Sequence, residues 1–333
     1  MRLSPSSRSH PLATTVGILA VLGLCAAVVR YKVAQTEREN PPRGRFLEVD
    51  GVRLHCVEHG DPGAPPLVVV HGLGVTDNEM ALSGLIDLAA QRYRVVIFER
   101  PGYGHSTRPS DRSYTPEVQA DLLLAAIDQL GLQRPVVLGH SWGTLVAKAM
   151  AIRQPRRLAA LVLASGYHTL SARLDVIGSS LPAVPVLGAL LRHTVSPLLG
   201  RLMWPLFVRR VFAPLPTPEA FSRHYPIWMS LRPGQLLAAA QESAMLIPSG
   251  RRLQKEEQGL DVPVVIVAGE NDRLLMTSWH SERLHRRLPN SELHVVPGAG
   301  HMVHHAAPQA VLDAVDAATA LATQQVDTRT ETR

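Results

Sequence analysis

Apolar residues along this chain gather into short uninterrupted runs separated by glycine-rich polar corners. LVVV at 67–70, VVIF at 95–98, VVL at 136–138, LVL at 161–163 and VVIV at 264–267 are the clearest. Runs of that length with no polar alternation are what strands covered on both faces require. FLEV at 46–49 and VRLHCV at 52–57 flank Asp50-Gly51, a strong signal for a two-residue hairpin, and LHVV at 293–296 supplies a last short strand. Helix-compatible stretches at 116–130, 144–154, 278–288 and 309–322 lie between several of the runs. An antiparallel start followed by alternating strands and helices predicts an α/β fold: a mostly parallel, doubly wound sheet of about eight strands.

Two segments depart from that rhythm. Between 168 and 259 no buried-strand run occurs, and LPAVPVLGALLRHTVSPLLGRLMWPLFVRRVFAPLP at 181–216 is too apolar for a loop and too long for an ordinary connection. It predicts an inserted helical cap. At the other departure, LATTVGILAVLGLCAAVV at 12–29 carries no charge and as a helix would reach roughly 27 Å, near the thickness of a bilayer's hydrocarbon core. The expected organisation is a basic N-terminal tail at 1–11, a transmembrane anchor at 12–29, a linker at 30–45, core at 46–167, cap at 168–259, core at 260–323 and a polar tail at 324–333. A cleaved secretory signal is the competing reading of 12–29, but Cys25-Ala26-Ala27 is a poor cleavage site and Arg30-Tyr31-Lys32 follows at once. The denser basic flank after the span favours a cytoplasmic catalytic domain.

Composition changes this picture little. A hydrophobic content of 46% with 19% charged residues fits a chain with a sizeable core. The net charge of +6 is mostly local: residues 1–45 hold seven Arg or Lys against Glu37 and Glu39, which leaves +1 for the rest. A positive segment beside an apolar span points to a membrane surface and not to nucleic acid. Cys25 and Cys56 offer neither a disulfide nor a metal spacing, and read as two small buried hydrophobes.

Reactive residues in an open α/β sheet collect at the carboxyl ends of strands. There the chain places HGLG at 71–74, RPGYGHS at 100–106, GHSWG at 139–143, GEND at 269–272 and GAGH at 298–301. A serine hydroxyl becomes a nucleophile only beside a base, usually a histidine held by a carboxylate. Ser141, Asp272 and His301 occur in that order, each beyond a different strand. Gly139 and Gly143 suit a strained strand-to-helix corner in which a flanking side chain would collide with its neighbours.

Together these five motifs resemble the α/β-hydrolase superfamily over about 46–322, with the inserted segment in the family's cap position. The resemblance implies Ser141 as nucleophile, His301 as general base and then acid, Asp272 as the orienting acid, and the backbone N–H groups of Leu73 and Trp142 as an oxyanion hole. Glu270 is the competing acid. His71 is expected to orient the oxyanion loop. Trp142 either walls the pocket or packs, and Glu99 and Arg100 either bind substrate or hold the loop together. His304 and His305 read as polar residues at a helix entry, since a metal would need a carboxylate or further histidines. The expected function is a membrane-anchored serine hydrolase of hydrophobic carboxylic esters, acting on a small molecule without metal or organic cofactor. The alternatives are a carbon–carbon bond hydrolase, a cofactor-free perhydrolase, or a ligand receptor with slow turnover.

Overall fold

The computed structural model describes residues 11–331 apart from 174 and 289. The tail expected at 1–11 therefore lies outside the described residues except for Pro11, which opens the first helix. In chain order the elements begin with α1 (Pro11–Glu39), β1 (Arg45–Val49), β2 (Val52–His59), β3 (Pro66–Val70), α2 (Asp77–Ala81), α3 (Leu85–Ala89), β4 (Arg94–Phe98) and α4 (Pro116–Gln129). Then come β5 (Val136–His140), α5 (Gly143–Arg153) and β6 (Ala160–Ala164). The cap contributes α6 (Asp175–Ser180), α7 (Leu187–His193), α8 (Val195–Phe212), α9 (Glu219–His224), α10 (Ile227–Ser230) and α11 (Pro233–Glu256). The core resumes with β7 (Val264–Gly269), α12 (Ser281–Arg287), β8 (Ser291–Val296), α13 (Val303–Ala306) and α14 (Pro308–Glu331).

The eight strands form one sheet in the order β1-β2-β4-β3-β5-β6-β7-β8. β1 and β2 join it antiparallel and the remaining neighbours are parallel. Asp50 and Gly51 both take positive φ in the hairpin turn, as the right-handed twist of the flanking strands demands. The continuous apolar runs are explained by two cores. Val68, Val70, Val96 and Phe98 point to the side packed by α4 and α5, whereas Leu67, Val69, Val95 and Ile97 point to the side packed by α3 and α14. The central strands β3 to β7 are thus apolar at nearly every position, whereas β1, β2 and β8 carry polar residues on their open faces.

Helix α1 does not end with the apolar run. Lys32 donates to Gln35 at 3.0 Å and Gln35 to Glu39 at 2.8 Å, pairs that extend the helix through ten residues expected as linker. Pro41-Pro42 then stops it. From Thr14 to Val28 the helix is largely exposed, while Val29 and Thr36 are buried and the helix contacts α7, α8 and α10. The C-terminal segment, expected as a polar tail from 324, likewise continues α14 to Glu331, with Gln325 donating to the Asp261 carbonyl at 3.3 Å. Cys56 is buried in β2; Cys25 is only half-buried on α1, and both are free thiols.

Candidate active site

The corner between β5 and α5 holds Ser141 at φ 52°, a left-handed conformation that costs a non-glycine residue free energy and persists only where its surroundings enforce it. The Ser141 amide donates to the Ala164 carbonyl at 2.9 Å, pinning the turn to β6. Glycine is obligatory at 143, because a Cβ there would stand 2.2 Å from the Val70 carbonyl oxygen. A Cβ at Gly139 would stand 2.7 Å from the Gly143 carbonyl oxygen. The strand, the nucleophile-type corner and the helix therefore pack as one unit.

Three side chains from distant positions converge on this corner. The His301 Nε2 lies 3.0 Å from Ser141 Oγ, and its Nδ1 lies 2.8 Å from Asp272 Oδ2. Nδ1 must carry the proton to donate to the carboxylate, so Nε2 is left to accept the serine O–H. The other Asp272 oxygen accepts the amides of Leu274 and Leu275 at 2.8 and 2.9 Å. Burial alone would push the Asp272 carboxyl up, but His301 and these two amides hold it below the ordinary carboxylate range. Glu270 is exposed and accepts from the Gly298 amide at 3.1 Å, on the solvent side of the loop.

The loop after β3 approaches Ser141 from the opposite side. Arg100, completely buried, donates to the Gly72 carbonyl at 2.7 Å and to the His71 carbonyl at 3.1 Å. The His71 ring donates from Nδ1 to the Gly72 carbonyl at 2.8 Å and accepts the Arg100 amide at Nε2. Burial, then the Arg100 charge, pushes His71 down to about 3, so the ring stays neutral and keeps this tautomer. The Leu73 amide follows the two carbonyls that Arg100 holds, and the Trp142 amide follows Ser141. Among the described residues neither amide is committed to an acceptor within the chain. Arg100 continues to Glu242 of α11 at 2.6 Å, which also accepts the Tyr103 hydroxyl at 2.6 Å. The loop of Glu99 and Arg100 thus serves internal structure and ties the cap to the core. Trp142 packs as well: it is buried beneath the Arg100 guanidinium and donates from its indole to the Glu242 carbonyl at 3.3 Å.

His304 and His305 stand in α13, at the helix entry where they are expected, but in surroundings the sequence does not show. Both side chains are buried and donate from Nε2 to one oxygen of Glu79, at 2.6 and 2.8 Å. The missing carboxylate comes from α2, a segment whose sequence carries no sign of the pairing. The three donor atoms lie within 4.8 Å of one another, a set divalent metals use. A ligating imidazole pairs its second nitrogen with an acceptor, yet Nδ1 of His304 is buried without a partner. The residues fit a hydrogen-bonded carboxylate better than a metal centre.

Ser141 and His301 open onto a cavity of about 330 Å³ between core and cap. Val75, Phe207, Phe212, Phe221, Leu275 and Met302 make most of its wall apolar, and Arg173 and Arg210 are also part of the wall.

Comparison with known proteins places this architecture. Residues 65–308 match a family model described as the alpha/beta hydrolase fold. The chain is 32% identical over 282 residues to a 2-hydroxy-6-oxononadienedioate/2-hydroxy-6-oxononatrienedioate hydrolase of Pseudomonas putida, covering 80% of this chain and 91% of the relative. It is 28% identical over 280 residues to a 2-hydroxymuconate semialdehyde hydrolase of the same species, covering 81% and 92%. Among solved structures, a bacterial membrane phospholipase A superposes with a TM-score of 0.62 at 24% identity, covering 92% of this chain and 96% of that one.

Proposed function

The chain belongs to the α/β-hydrolase fold family and is a hydrolase; from that premise we propose that it cleaves an acyl bond of a small, largely hydrophobic organic molecule through a Ser141 acyl-enzyme. The observation that carries this reading is the continuous set of hydrogen bonds from Ser141 through His301 to Asp272 at the mouth of an apolar cavity. Ser141 attacks the carbonyl as His301 takes its proton. The Leu73 and Trp142 amides stabilise the oxyanion, an effect typically worth about 3 kcal/mol per donor. His301 returns the proton to the leaving group, then activates the water that releases the acid. Asp272 orients the ring and stabilises the imidazolium.

Sequence reasoning ranks esters first as the scissile class. We rank the carbon–carbon alternative first, because the names of both Pseudomonas putida relatives, a 2-hydroxymuconate semialdehyde hydrolase and a 2-hydroxy-6-oxononadienedioate hydrolase, support it better than the ester. On this reading the 2-hydroxy-dienoate first shifts to its keto form, which puts a proton on the carbon beside the 6-oxo group. Ser141 then attacks that ketone and the carbon–carbon bond breaks. The fragment leaves as a dienolate that takes the proton His301 accepted from Ser141, and water releases the acid and restores the serine. Arg210 at the cavity wall supports it, since a guanidinium there suits a substrate that carries a carboxylate. A carboxylic ester is the second reading. It is favoured by the exposed apolar side chains of α7 and α8, among them Leu190, Leu199, Leu202 and Leu206, on helices that contact α1. The test runs 2-hydroxy-6-oxo-dienoates in parallel with 4-nitrophenyl esters of two to sixteen carbons. A kcat/KM at least about 10²-fold higher on the dienoates is expected; the reverse order, rising with acyl length, would replace the carbon–carbon reading by the ester reading.

The same proposal places α1 in a membrane. An 18-residue window within Thr14–Glu39 has a mean hydropathy of 1.9 with only 6% of it buried, properties that a signal sequence shares. Full-length chain is expected to stay with the membrane pellet after carbonate extraction. A product whose first residue is Val28 or lies beyond it would identify the segment as a cleaved signal.

A further inference from the structure

Glu79 is a fully buried carboxylate outside the three side chains that meet at Ser141. It stands in α2, directly after the loop that carries Leu73, and its amide donates to the Thr76 carbonyl at 3.1 Å. One of its oxygens accepts both His304 and His305, three and four residues beyond His301. The His304 ring packs edge-on at 4.3 Å against His140, the residue before Ser141. His140 in turn lies with Nε2 3.2 Å from the His301 carbonyl. The His305 ring meets Phe212 of the cap at 5.0 Å. A single carboxylate therefore holds together the oxyanion loop, the turn bearing the base, the nucleophile corner and the cavity wall.

We propose that Glu79 is a positioning residue for this site, fixing the His301 turn against the Leu73 loop through its two bonds to His304 and His305; this rests on the hydrolase reading of Ser141. Its charge matters as well as its shape. A buried carboxylate stays ionised only when donors hold it, and His304 and His305 keep Glu79 well below the ordinary carboxylate range against the opposing effect of burial. His71, His140 and Tyr225 also sense this charge. Glutamine in its place would keep the volume and an oxygen for both imidazoles, but it removes the anion and buries an amide N–H₂ where the second carboxylate oxygen stands without a hydrogen-bond partner.

Covalent labelling by a fluorophosphonate reads the competence of Ser141 without a known substrate. Full-length Glu79→Gln is expected to label about 10²-fold more slowly, the penalty of a reacting group displaced by about 1 Å. The acid limb of its rate–pH profile should move to lower pH, because an anion that favours protonated imidazoles has gone. A loss of folded protein alone would lower the labelled fraction and leave that limb in place. His305→Asn, too short to reach Glu79 but leaving the carboxylate, should slow labelling about tenfold with the acid limb unmoved. Labelling within twofold of wild type and an unmoved limb in Glu79→Gln overturns the proposal. Where that variant does not fold, a wild-type rate in His305→Asn overturns it. Wild-type chain that takes no label removes the nucleophile reading, and the positioning role with it.

Discussion

Ser141→Ala is expected to lower kcat by about 10⁴- to 10⁶-fold on whichever substrate the wild-type chain turns over, with KM changed no more than about threefold. The size follows from what is removed. Without the hydroxyl no acyl-enzyme forms, and only water held near the Leu73 and Trp142 amides remains to attack, assisted by His301. Substrate binding should survive, because the cavity wall is made by other side chains. The fold should survive too. Alanine accepts the left-handed φ of 52° about as poorly as serine does, and the Ser141 contact that pins the corner is made by the backbone amide. Fluorophosphonate labelling separates the enzyme from a receptor built on the same fold. A wild-type adduct on Ser141, absent in the alanine variant, together with turnover on either substrate class is the expected pattern. An adduct without turnover on any substrate would support the receptor, and a folded wild-type chain with no adduct would end the nucleophile assignment.

What could be read from the sequence divides along physical lines. The strands were legible because parallel strands covered on both faces need an apolar residue at every position, so VVIF and VVIV have few other readings. The corner at Ser141 was legible because the glycines two residues to either side of it answer to collisions with the backbone of α5 and of β3. Glu79 and Glu242 were not legible, for the opposite reason. Each finds its partner far along the chain, Glu79 at His304 across 225 positions and Glu242 at Arg100 across 142, and local pattern carries no trace of a pairing made only by the closed fold. The extension of α1 to Glu39 was hidden by the charge of its second half, which reads as a linker until the Lys32–Gln35–Glu39 ladder is seen. Scissile-bond class lies deeper still, since esters and activated carbon–carbon bonds are cleaved by the same three residues and differ only in what the cavity holds.

Asp272→Asn should lower kcat by about 10⁴-fold near pH 7 while leaving KM nearly unchanged. The geometry gives the reason. The amides of Leu274 and Leu275 donate to one Asp272 oxygen, so an asparagine oriented by them places its carbonyl there and turns its N–H₂ toward His301 Nδ1. A donor now faces a donor. The imidazole responds by moving its proton to Nε2, the tautomer that points a hydrogen at Ser141 and cannot accept one. The variant also loses the buried negative charge beside the imidazolium formed during attack. Stability should follow the carboxyl's depressed titration. Asp272 contributes stability above its unfolded pKa of about 3.9, and that contribution is lost as pH falls through the lower folded value. The Tm gap between wild type and Asp272→Asn should therefore be wider at pH 7 than below about pH 4. Glu270→Gln is the matched control, two residues away in the same loop but on its solvent side. Its kcat should stay within about twofold of wild type, and a loss there comparable to that of Asp272→Asn would move the orienting acid from Asp272 to Glu270.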